Sequence, residues 1–107
     1  MNDDELAIRR AVDALEDTLH ATIELCATLD AAAWRLPTAC PGWTVHDQVA
    51  HLAGIEAKLL GRTRAILELP PLPHVVTDVD REIELDVHAR RTVPDADLLA
   101  ELREVVA

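Results

Sequence analysis

Ile8, Val12, Leu15, Leu19, Ile23, Cys26 and Leu29 recur at steps of three and four residues. An α-helix places such a series on one face, so residues 3–30 read as one long amphipathic helix. A helix with a single apolar stripe must bury it against other elements, and helix on helix is the arrangement this chain can best supply. Asn2 is suited to cap the start, and Glu5 three residues later fits a capping box. Asp3 and Asp4 favour the positive end of the helix dipole.

The breaks fall where prolines stand. Pro37 and Pro41-Gly42 make residues 31–43 a connector. Its Trp34, Leu36 and Trp43 are too apolar for a free linker and are expected to pack over one end of a bundle. A second helix is expected over about 45–69, capped by Thr44 with Asp47 bonding back. Its stripe is Val45, Val49, Leu52, Ala53, Leu59, Leu60, Ile66 and Leu67, and Pro70-Pro71-Leu72-Pro73 ends it.

Residues 78–91 carry two patterns. Val79, Ile83 and Val87 are spaced as on a helix, while Ile83, Leu85 and Val87 alternate with acids as on a strand. No partner strand is evident, so the reading is helix. Thr92 to Asp95 then looks like a new start with Pro94 in the first turn, and Leu98, Leu99, Leu102, Val105 and Val106 continue a helix over 95–107. That helix has no stop signal, which leads us to expect a fragment or truncated relative of a longer protein.

Composition agrees with an all-α fold. Phe and Tyr are absent, so the core must be built from Leu, Val, Ile and Ala around Trp34 and Trp43. The net charge of −10 makes nucleic acid a poor partner and an anionic membrane surface another. No run of about 18 apolar residues offers a membrane span. Met1-Asn2-Asp3-Asp4-Glu5 is the opposite of a secretory n-region. Cys26 and Cys40 are expected to be reduced thiols of a cytoplasmic protein.

His51 is the residue on which chemistry is expected. It lies two turns into the second helix, one position before Leu52. At about 100° per residue it sits at the edge of the apolar stripe, where an imidazole can point into a bundle. Neutral imidazole is a common ligand for zinc and other divalent metals. Asp47 one turn earlier could support it, but its role as a cap is preferred. Glu16 and His20 share a face of the first helix and read as boundary residues. Glu56 is rotated away from His51, and His74 and His88 lie in or near irregular segments. Cys40 reads as a packing residue of the connector, and His46 as an exposed first-turn residue.

The segment Trp34-x-x-Pro37-Thr38-x-Cys40-Pro41-Gly42-Trp43-Thr44-Val45-x-Asp47-x-Val49-Ala50-His51-Leu52 resembles the start of the mycothiol-dependent maleylpyruvate isomerase family, a branch of the DinB-like four-helix bundles. The resemblance covers residues 5–69 well and 78–107 loosely. It implies that residues 1–107 are the N-terminal part of a single up-and-down bundle domain, incomplete at its C-terminus. It further implies that His51 ligates a divalent metal, zinc first, with a carboxylate and another histidine supplied by a later helix. The intact protein would then use mycothiol as cofactor, in an isomerase or a thiol S-transferase, with a small-molecule substrate. The other reading is a non-catalytic helical module, in which two copies of a partial bundle form a homodimer and complete a four-helix core.

Overall fold

A computed structural model describes residues 1–62 and 67–107. Among these described residues five helices follow one another: α1 (Asp3–Ala27), α2 (Ala31–Trp34), α3 (Val45–Leu59), α4 (Asp78–Ala89) and α5 (Asp95–Val106). Among the described residues the extended backbone pairs only in an isolated bridge between Pro37 and Thr44. Among the described residues no helix is long and apolar enough to cross a membrane.

The starts of the first four helices follow from their caps. The side chain of Asn2 accepts from the Glu5 amide at 2.8 Å, the one arm of the expected capping box that forms. Asp30 does the same for Ala33 and starts α2, a single turn inside the segment expected to be irregular. Thr44 with Asp47 and Thr77 with Asp80 form complete capping boxes, with both orphan amides satisfied reciprocally. The helix reading of residues 78–91 is therefore correct and the strand reading is not. At α5 the cap residue is Pro94 itself, one place before the first turn expected for it, and it offers no side-chain hydrogen bond.

α3 ends ten residues before the sequence reading placed its end. Gly61 adopts φ 76°, a left-handed conformation that favours glycine. Its amide bonds to the Lys58 carbonyl at 2.9 Å, and that of Arg62 reaches the Ala57 carbonyl at 3.0 Å. This Schellman closure stops the helix well before the prolines. Leu60 becomes the C-cap and Leu67 lies outside any helix, while Ile66 falls outside the described residues.

α3 is the central element, packed on both α4 and α5. Its side chains divide into two lines at about 100° per residue. His46, Val49, Ala50, Ala53 and Ala57 form the buried line, and Ala50 and Ala53 are small enough for α5 to approach closely. Leu98 and Leu102 of α5 are fully buried there, with Ile23, Cys26 and Trp34 completing the core. Each such leucine contributes roughly 1.5–3 kcal/mol by leaving water. Asp47, His51, Gly54 and Lys58 form the second line, and it is the one turned to α4.

The stripe of α1 is only half used. Leu19, Ile23 and Cys26 are buried against α5 and its surroundings, whereas Ile8, Val12 and Leu15 are 65, 48 and 53% exposed. Leu36, expected to pack over the bundle end, is also exposed at 57%, unlike Trp34 beside it.

Candidate functional site

His51 stands half-buried at the rim of a groove of about 500 Å³ between α3 and α4. The groove is lined by Ile55, Lys58 and Leu59 from α3 and by Glu82, Ile83 and Asp86 from α4. Burial pushes the His51 imidazole below its ordinary value, and the Asp86 carboxylate pulls in the opposite direction without cancelling it. At neutral pH the ring is therefore neutral, the form in which a nitrogen can ligate a metal.

Asp86 can come close because Gly54 has no side chain. A Cβ built there would lie 2.6 Å from Asp86 Cβ and 3.0 Å from its Cγ. The glycine is thus a contact point between α3 and α4, one turn after His51.

The other face of His51 meets Trp43, with ring centroids 5.1 Å apart and planes inclined by 44°. Trp43 is held at its far edge, where Nε1 donates to Glu84 Oε2 at 2.9 Å. The same oxygen pairs with His74 Nε2 at 3.1 Å. Glu84 Oε1 faces Arg91 Nη2 at 2.5 Å as an ion pair outside hydrogen-bond geometry. Arg91 Nε also lies 3.5 Å from Asp47 Oδ1, which ties this cluster to the cap of α3. Burial pushes the fully enclosed Glu84 carboxyl up, but the hydrogen bonds from Trp43 and His74 together with the adjacent Arg91 guanidinium more than offset it, so it lies below the ordinary glutamate range.

Gly42 lets the connector pass beneath His74. It has φ 77°, and a Cβ on it would collide with the His74 imidazole. The Pro41-Gly42-Trp43 run therefore turns the chain, admits His74 and delivers Trp43 to His51.

The structure corrects two expectations. His46 is buried, not exposed: Nε2 lies 2.7 Å from the Val93 carbonyl oxygen and its ring meets the edge of Trp34. Cys40 is exposed, so it packs against little; its backbone N–H donates to Thr38 Oγ1 and its carbonyl accepts from Trp43. Asp47 is the cap it was expected to be, and Glu16 and His20 lie exposed on α1. Cys26 is buried, which raises its thiol pKa. Glu84 and Asp86 went unnoticed in the sequence because Trp43, His51 and Gly54, which they meet, lie on the other side of the 60–77 segment, beyond any local pattern.

His51 and Asp86 are an imidazole and a carboxylate brought together from adjacent helices, donor types that zinc accepts. Among the described residues there is no group of three or more His, Cys, Asp or Glu side chains that could hold a metal ion. The residues present thus fit the beginning of a metal site and do not complete one. Residues 8–107 match the family model described as the mycothiol maleylpyruvate isomerase N-terminal domain. No curated protein and no solved structure matches the chain.

Proposed function

We propose that this chain, which belongs to the family of mycothiol maleylpyruvate isomerase N-terminal domains, contributes His51 as an imidazole ligand to a divalent-metal site in a mycothiol-dependent enzyme. The observation that carries this reading is the half-buried imidazole on the wall of the α3–α4 groove that the Asp86 carboxylate also lines. A bound divalent metal, zinc first, would supply the acidity that turns a thiol into a thiolate at neutral pH. The chain's own residues do the rest of the work on this side of the site. His51 offers a nitrogen, Asp86 and Glu82 outnumber the single Lys58 cation in the groove lining, and Ile55, Leu59 and Ile83 provide apolar walls for a small organic substrate. Isomerisation and thiol transfer both begin from such a thiolate, and either fits this half-site. The reading also implies a cytoplasmic protein that meets a small-molecule thiol and substrate, away from nucleic acid and membrane.

A second reading is favoured by one observation, the uncovered stripe Ile8, Val12 and Leu15 on α1. In it the chain is a non-catalytic bundle module that homodimerises through α1 and keeps the fold without a complete metal site.

Equilibrium dialysis against zinc at neutral pH, with metal analysis, separates the two. Stoichiometric uptake that disappears in His51→Ala is the result expected of a metal ligand. Equal uptake by both proteins would remove His51 from the site, and no uptake by either would mean that the site needs ligands beyond those gathered here.

A further inference from the structure

Glu84 has no exposed surface, yet it carries a charge into the protein. Its partners come from three segments: Trp43 from the connector before α3, His74 from the loop before α4, and Arg91 from the turn after it. Arg91 supplies the counter-charge, as His74 also does when protonated. The indole N–H is neutral, and what it adds is direction. An indole can turn about the bond to its Cβ, and the 2.9 Å hydrogen bond at Nε1 stops that rotation. The plane so fixed is the one against which the His51 ring rests, at 5.1 Å between centroids.

We propose that Glu84 is a positioning residue for the imidazole of His51, acting through the indole of Trp43. The role in metal binding rests on His51 being a ligand; the effect on the ring's orientation does not. Without the Glu84–Trp43 bond the indole turns, the imidazole follows it, and the nitrogen no longer points one way into the groove. Groups that orient a ligand in this manner typically change metal affinity by about 10–100-fold.

The test uses the whole chain, first metal-free and then titrated with zinc. The ring protons of His51 are followed by NMR, since a stacked indole moves them upfield. Four proteins are compared: the unaltered chain, Glu84→Gln, Glu84→Met, and a chain in which Trp43 is replaced by its benzothienyl isostere, which keeps the ring and deletes the N–H. Glu84→Gln retains an acceptor for the indole and is expected to keep the His51 shifts. Glu84→Met and the isostere are expected to lose most of the upfield shift and to bind zinc about 10–100-fold more weakly. The isostere preserves shape and leaves Glu84 in place, so it reports even if Glu84→Met does not fold. His51 shifts that stay unchanged in the isostere would overturn the proposal. If the unaltered chain takes up no zinc, the affinity comparison drops out, while the shift comparison still decides whether Glu84 sets the ring.

Discussion

Gly54 and Asp86 touch across the α3–α4 interface so closely that a methyl group on Gly54 would lie 2.6 Å from Asp86 Cβ. Glycine within a helix ordinarily costs about 1 kcal/mol relative to alanine, so Gly54→Ala would stabilise an unobstructed α3. Here the added methyl must push α4 away, and overpacking of this kind costs about 1–3 kcal/mol. The expected outcome is a net loss of about 1 kcal/mol in urea unfolding, with weaker zinc uptake because Asp86 moves away from His51. A variant more stable than the parent would mean that the two helices have room to spare.

Acid should weaken the fold through Glu84. Its carboxyl lies below its ordinary value of 4.5 in the folded chain, so the unfolded chain binds the proton more readily. The stabilisation is fully present above about 4.5, the unfolded value, and is lost as pH falls through the lower folded one. Stability measured from pH 7 downward should therefore decline in that acid range, and Glu84→Gln should flatten the decline while lowering stability at pH 7. An unchanged slope in the variant would assign the acid sensitivity to other carboxylates.

The helices were legible because their signals are local. Asn2, Thr44 and the spacing of Val79, Ile83 and Val87 each marked a helix start or a helical face in the sequence. The end of α3 was legible in principle, since Gly61 followed by Arg62 is a terminator, but the prolines further on are the louder signal. Half of the candidate site could be read as well: His51 and Trp43 lie in one motif-bearing segment. The other half could not. Glu84 and Asp86 occupy positions that look like the solvated face of a short acidic helix, and only the close approach at Gly54 and the charge of Arg91 make them interior residues.

His46 is the clearest case of burial overriding a local expectation. Its Nε2–H donates to the Val93 carbonyl at 2.7 Å, and its ring sits 6.1 Å from that of Trp34 at 63°. His46→Ala removes both contacts and leaves the carbonyl without its donor, for an expected loss of about 2–4 kcal/mol in chemical denaturation. A change smaller than about 0.5 kcal/mol would fit an exposed first-turn residue instead.

The α1 stripe predicts two different outcomes for what is, on the sequence, one pattern. Leu19 and Ile23 are buried, and Leu19→Ala should cost about 2–5 kcal/mol. Ile8 and Leu15 belong to the same periodic series but are 65 and 53% exposed, so Ile8→Gln and Leu15→Gln should each change the stability of the single chain by less than about 0.5 kcal/mol. Periodicity reports that a face is apolar and is silent on what covers it. Sedimentation across a range of concentrations supplies the missing information. If the chain dimerises and Ile8→Gln with Leu15→Gln returns it to a monomer, the stripe is an interface between copies and its burial there contributes to stability at high concentration. If the chain stays monomeric at every concentration and both variants unfold like the parent, the stripe plays no part in self-association, and the dimeric-module reading loses the observation that favoured it.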